Sequence, residues 1–194
     1  MIDKALSFIT TYVNQELKAS FGLSEDKVIA GSLINPDGSV TENMENKIIV
    51  TIINIENETF AGNTQSAYKQ SGENNYAKQE PPLYINLYLL FAANYTSKNY
   101  LESLKMLSAA IAMIQANPTF ERNNFPEMDP QIDRLTMEIH NIPINELSHI
   151  WSGIGAKYVP SMIYKLRMLA VQKAKIQSTV SGISGLDSST TKKN

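Results

Sequence analysis

Two histidines, His140 and His149, are the only imidazoles in this 194-residue chain, and it contains no cysteine. They read as lying on a strand and on the helix that follows it, without the i, i+4 spacing and carboxylate neighbour of a metal-binding helix. Both therefore read as surface or partly packed side chains. The missing thiols exclude a disulfide framework, a thiolate zinc site, an iron–sulfur cluster and a cysteine nucleophile. Gly153-Ile154-Gly155 lacks the third glycine and the preceding strand of a dinucleotide fingerprint, and reads as a helix C-terminus that needs positive φ. Neither a phosphate-binding G-x-x-x-x-G-K-[ST] loop nor a G-x-S-x-G nucleophile elbow is present. Acid–base catalysis needs carboxylates in perturbed surroundings. Glu25, Asp26, Glu42 and Glu45 stand in polar stretches, and Glu138 on the polar side of its strand is equally ordinary. The expectation is a protein that is not an enzyme and holds no cofactor or metal.

The tyrosines Tyr84, Tyr88, Tyr95, Tyr158 and Tyr164 could stack on bases. Against that, 17 Lys and Arg face 19 Asp and Glu, a formal net charge of −2, so nothing pulls the chain toward polyanions. Packing and interface roles fit these tyrosines better, and no nucleic-acid partner is expected. The apolar runs Leu87 to Ala93 and Ala109 to Ile114 fall far short of the ~20 residues that span a bilayer. Met1 to Phe21 interleaves Asp3, Lys4, Glu16 and Lys18 and so lacks the apolar core of a secretory signal. Synthesis in the cytoplasm and no membrane span are expected.

The elements that would position these residues follow from periodicity. Ile2, Leu6, Ile9, Val13 and Leu17 form one helical stripe that ends at Gly22. Val28 to Leu33 reads as an edge strand and Asn35-Pro36-Asp37-Gly38 as a turn. Lys47 to Ile55, rich in isoleucine and valine, reads as a central strand covered on both faces. From Leu83, alternation puts Ile85, Leu87, Leu89, Phe91 and Ala93 on a core face, with Tyr84, Asn86 and Tyr88 on a partly wet one. Asn99 and Glu102 fit a capping box before a helix that buries Leu101, Leu104, Leu107, Ile111 and Ile114. Leu135, Met137 and Ile139 alternate in a further strand. Pro143 to Ile154 reads as a short helix, and Ser161 to Val171 as a strand with Met162, Tyr164, Leu166 and Met168 opposite Lys165 and Arg167.

This order predicts an α+β (mixed α/β) domain on a single central β-sheet, flanked by an N-terminal helix, a long middle helix and a short helix. Residues 1–176 form the domain, and 61–79 within it read as a long polar loop without apolar period. Residues 177–194, rich in Ser, Thr, Gly and Lys with little to bury, read as a disordered tail.

Three blocks carry a resemblance. PPLYINLYLLFAANY from Pro81 to Tyr95, YLESLKMLSAAIAMIQ from Tyr100 to Gln115, and NELSHIWSGIGAKYVPSMIYKLRML from Asn145 to Leu169 resemble the cap, or tail-terminator, proteins of extracellular contractile injection systems. These are phage-tail-like particles with an inner tube and an outer sheath. The opening MIDKALSFITTYVNQEL and the strand NKIIVTIINIENE fit the same pattern. The third block is the most specific, since Trp151, Gly155, Tyr158, Pro160, Ser161, Tyr164 and Arg167 stand at the family spacing. The resemblance implies a structural protein that forms a homohexameric ring and contacts sheath and tube subunits. Such a ring closes the distal end of the particle and fixes its length. It further implies assembly in the cytoplasm within a particle that can be released.

Within that block Trp151 reads as a core anchor between short helix and sheet, or else as an interface anchor. Gly155 supplies backbone geometry and Pro160 sets the start of the last strand. Arg167 and Lys165, with Tyr84 and Tyr88 on the polar face of the Leu83 strand, are the interface candidates. For Arg167 an intramolecular ion pair is the competing reading. An enzymatic or small-ligand domain would differ by a closed pocket of convergent polar groups, and a generic protein–protein adaptor by its lack of symmetry.

Overall fold

The computed structural model describes residues 1–39, 41–58, 67–70, 75–79, 83–171 and 176–181. In chain order they form α1 (Ile2–Phe21), β1 (Val28–Ala30), β2 (Lys47–Asn57), β3 (Ala67–Gln70), β4 (Asn75–Gln79), β5 (Leu83–Asn94), α2 (Tyr100–Ala116), β6 (Thr119–Glu121), β7 (Arg134–Ile139), α3 (Ile144–Ile154), β8 (Ser161–Val171) and β9 (Ile176–Ser181). Six strands form one mixed sheet in the order β1-β2-β5-β8-β7-β6. Only β1 runs parallel to its neighbour. The expected α+β class, with a six-stranded sheet and three α-helices among the described residues, is what the chain adopts.

One face of the sheet packs against α1 and α2. Helix α1 buries Ala5, Phe8, Ile9, Tyr12, Val13 and Leu17, a stripe wider than its sequence pattern, and Gly22 ends it in the left-handed region at φ 64°. Phe8 and Tyr12 meet Phe120 and Phe125 edge-on, with ring centroids 4.9 to 5.9 Å apart. Helix α2 is rotated from the expected face. It buries Ser103, Met106, Leu107, Ala110 and Ile114 and leaves Leu101 80% exposed. Ser103 can be buried because its Oγ donates to the Tyr100 carbonyl at 2.6 Å. The capping box does not form: Asn99 Nδ2 donates instead to Asn46 Oδ1 at 3.0 Å.

The opposite face carries α3, docked through Trp151 onto Leu33, Ile49, Leu90, Ala92 and Ile163. β2 is buried on both faces only at Ile48, Ile49 and Val50, and Asn54 to Asn57 are exposed. The face of β5 expected to be partly wet is buried, with Asn86 2% and Tyr88 8% exposed.

Two irregularities decide which side chains share this second face. Ile52 pairs with Leu89 but Asn54 with Tyr88, so β2 carries one extra residue, Ile53. That bulge reverses the parity of β2 and brings Asn54 and Glu56 to the face that Ile49 and Thr51 occupy before it. In the same way Leu87 pairs with Leu166 but Ile85 with Leu169, so β8 carries an extra residue opposite Asn86, beside Arg167.

A second, three-stranded sheet in the order β3-β4-β9 arises from segments that read as loop and tail. Residues 67–70 and 75–79, inside the expected 61–79 loop, pair antiparallel as a hairpin. Residues 176–181, at the start of the expected tail, pair with β4. Apolar periodicity was no guide here, because a strand needs backbone partners before it needs a buried face. The rest of those two readings, residues 61–66, 71–74 and 182–194, lies outside the described residues.

Candidate functional site

The lower half of the second sheet face carries a ladder of polar side chains drawn from four neighbouring strands. Tyr88 on β5 donates its hydroxyl hydrogen to Glu56 Oε2 on β2 at 2.7 Å. Asn86 Nδ2 donates to Glu58 Oε2 at 2.9 Å. Arg167 on β8 spans the middle, with Nη2 3.2 Å from Glu58 Oε2 and Nη1 3.1 Å from Glu138 Oε1 on β7. Lys165 Nζ lies 5.5 Å from the centre of the Tyr88 ring, whose edge meets His140 at 4.8 Å between centroids.

Registration explains this convergence. Tyr88 pairs with Lys165 and Lys165 with Glu138, so three consecutive strands present these side chains in one row. The β2 bulge adds Glu56 to the same face, and Arg167, two residues on from Lys165, shares it by ordinary alternation. The side chain of Glu58 is 6% exposed, while those of Arg167 and Glu138 are 35% and 47% exposed. Arg167 is therefore pulled inward on one side and open on the other. The acceptors raise its already high pKa, Glu138 first and then Glu58. Burial, reinforced by donation to Glu56, raises the pKa of Tyr88. Asn86 Oδ1 and Arg167 Nε are buried without a hydrogen-bond partner among the described residues.

The interface candidates divide accordingly. Arg167, Lys165 and Tyr88 are brought together, and Arg167 is held by two carboxylates of its own chain. Tyr84 stands apart, lining a cleft of about 470 Å³ with Glu121, Arg122, Gln131, Asp133 and Arg134. Both arginines of that cleft are paired, Arg122 with Asp133 at 2.8 Å and Arg134 with Glu121. The structural motif residues occupy both sides of the sheet. Trp151 is 4% exposed and meets Tyr158 edge-on at 5.6 Å, on the α3 side. Gly155 ends α3 in the left-handed region at φ 75°. The Pro160 carbonyl accepts from Ala93 N at 2.9 Å, and Ser161 opens β8 opposite Ala92. Tyr164 points the other way and packs on Phe91 at 5.3 Å, beneath α1 and α2.

Sequence reasoning missed Glu56, Glu58, Asn86 and Glu138 as members of the site. Arg167 and Glu58 are 109 residues apart and no local pattern links them. The one available signal was a polar Asn86 inside the most regular apolar strand.

Chemically, the ladder is a set of carboxylates already engaged by cations and amides. It supplies rigid, directional contacts, with no paired nucleophile and base. Among the described residues no group of three or more histidines and acids could hold a metal ion. No helix among them is long and apolar enough to cross a membrane.

The family profile described as Pvc16 N-terminal domain matches residues 6–184. No curated protein matches the chain by sequence. Among solved structures, the PVC sheath/tube terminator of an extracellular contractile injection system, in the extended state, superposes with a TM-score of 0.58 at 13% identity. The match covers 95% of this chain and 64% of that one. The anti-feeding prophage cap, an AFP tube terminating cap, gives a TM-score of 0.56 at 13% identity, over 93% of this chain and 61% of that one. The chain thus spans less than two thirds of the length of either structure it resembles.

Proposed function

We propose, for a chain that belongs to the Pvc16 N-terminal domain family, that it serves as a terminator of a contractile injection particle, ending growth of tube and sheath and so fixing their length. The observation that carries this reading is the family match over residues 6–184, supported by the shared fold of two terminator structures.

The physical logic is that of a part working by contact. A terminator needs one surface that docks on the last ring of a polymer and must not copy that polymer's addition site on the other. Copies of this chain form a ring of six, in which head-to-tail contacts close and leave no growing end. The six-stranded sheet suits such a part. Its outer strands, β1 and β6, are only three residues each, and β1 covers just Ile48–Val50 of the eleven-residue β2, so the rest of β2 presents an edge that a neighbouring subunit can cover. The β3-β4-β9 sheet offers further edges, whose outer strands can take up a strand from a sheath subunit by main-chain hydrogen bonding. Lys165, Tyr84 and Tyr88 present polar contacts for neighbouring subunits, whereas Arg167 acts within its own chain. The protein is made and assembled in the cytoplasm and leaves the cell only as part of the particle.

Electron microscopy of purified particles carrying an affinity-tagged chain tests the placement. Gold label confined to one end of each particle supports terminator function. Label distributed along the sheath, or found only on free protein, overturns it.

A further inference from the structure

Two observations meet at the lower end of the six-stranded sheet. The first concerns connection. Leu83 pairs with Val171 in the large sheet and Gln79 with Ile176 in the small one, so the β5–β8 pair is prolonged, after short links, by the β4–β9 pair. The chain passes between the two sheets three times: after β2 toward β3, between β4 and β5, and between β8 and β9. The second concerns side chains. Glu58 directly follows β2, Asn86 lies near the start of β5, and Arg167 near the end of β8. Asn86 Nδ2 and Arg167 Nη2 both donate to the same oxygen, Glu58 Oε2. One member from each crossing is thus tied into a single knot.

We propose that Arg167 is a positioning residue that fixes how the β3-β4-β9 sheet leaves the six-stranded sheet, by clamping Glu58 and Glu138 across the bulge in β8. A bulge bends and twists the strand that carries it and leaves one residue outside the ladder, so its register needs an outside constraint. Arg167 supplies that constraint because its planar fork reaches both ways: Nη2 to the buried Glu58 and Nη1 to Glu138 on β7. The backbone reinforces the knot, since Glu58 N donates to the Tyr84 carbonyl at 2.8 Å. Glu138 ties the clamp back to β7, a strand with no part in the small sheet, so the crossings are referenced to the body of the domain. This role is independent of the terminator reading and holds whatever the small sheet contacts.

Hydrogen–deuterium exchange of the full chain tests it. In Arg167→Gln, amides of Asn75–Gln79 and Ile176–Ser181 exchange about tenfold faster or more, because loss of a charged hydrogen-bonding group opens structure locally. Amides of 48–50 and 89–92, in the middle of the large sheet, stay at wild-type rates. Arg167→Lys resembles Arg167→Gln more than wild type, because one ammonium cannot hold both carboxylates in a fork. Equal acceleration in both sheets, or unchanged exchange in the small one, overturns the proposal. Should Arg167→Gln not fold, Glu138→Gln keeps the Arg167 pair with Glu58 and removes only the anchor to β7. It raises exchange in the small sheet about twofold to threefold, and an unchanged rate there likewise overturns the clamp.

Discussion

Replacing Trp151 separates the two things its indole does. It is the chain's single tryptophan and the only fully buried residue of α3, with Leu147, Ile150 and Ile154 packed partly buried around the same cluster. Truncation to alanine removes nearly the whole side chain from contact with Leu33, Ile49, Leu90, Ala92 and Ile163. Such a change costs about 3–5 kcal/mol, a large share of the roughly 5–15 kcal/mol that holds a typical domain folded. The indole N–H works in the opposite direction. Nε1 is buried without a hydrogen-bond partner among the described residues. A buried donor left unpaired costs about 1–3 kcal/mol, and phenylalanine relieves that penalty while keeping most of the ring. Trp151→Phe therefore loses some packing area but sheds an unpaired polar group, and a net cost of about 1 kcal/mol or less is expected. Urea unfolding followed by far-ultraviolet circular dichroism reads both variants against wild type. A Trp151→Phe cost as large as that of Trp151→Ala would refute the reasoning, because it would mean the N–H is satisfied and the hydrogen bond matters. A Trp151→Ala cost under about 1 kcal/mol would refute the anchoring of α3 itself.

Further outcomes follow from other parts of the fold. Asn14 on α1 donates Nδ2 to the Val28 carbonyl at 2.6 Å and accepts at Oδ1 from Lys27 N and Val28 N, both at 2.9 Å, tying α1 to the edge strand β1. Asn14→Ala strands these backbone groups and lowers stability by about 2–4 kcal/mol. Asn14→Asp, which keeps the acceptor and loses the donor, falls between alanine and wild type in the same urea assay. At high pH the buried tyrosines set a limit. Burial pushes Tyr164, 2% exposed, from 10.0 to about 12. The unfolded chain thus releases this proton first, and the stability it contributes is complete below pH 10 and lost as pH climbs from 10 toward 12, by about 2–3 kcal/mol. Tyr95, also raised to about 12 by burial and then by Glu102, adds in the same direction. Urea midpoints measured from pH 9 to 12 show the fall, which Tyr164→Phe flattens.

The elements with a strong period were legible in the sequence. The α1 stripe, the β5 strand itself though not its wet face, the alternation of β7, the glycines that end α1 and α3, and the bounds of β8 all follow from local residue patterns. What escaped depended on long-range pairing. The bulge at Ile53 reverses the parity of β2, and nothing in KIIVTIINIEN marks one isoleucine as the extra residue. The polar strands β3, β4 and β9 bear no apolar alternation, and β4 and β9 pair across about 100 residues of chain, as Asn75 does with Ser181. Helix α2 turned its buried face toward Ser103, Met106 and Ala110 because those shorter or more pliable side chains allow close approach to the sheet, leaving Leu101 outside. β6 was not foreseen, since three residues between an Asn-Pro stop and a turn offer too little pattern.

The candidate site divides in the same way. Lys165, Arg167 and Tyr88 were foreseen on polar strand faces, and the sheet brings them together. Their acidic partners were not foreseen, because a glutamate in a polar stretch looks solvated until the fold sets an arginine beside it. Glu58 is the clearest case, 6% exposed beside a guanidinium supplied from the far end of the chain.

The terminator account stands or falls most directly on the length of the particles. Electron micrographs of particles from cells lacking this chain should show a broad spread of tube lengths, with sheaths that are unstable or overrun the tube. Re-expression of the wild-type chain should restore one narrow length. A length distribution and sheath integrity unchanged by the deletion would contradict the account.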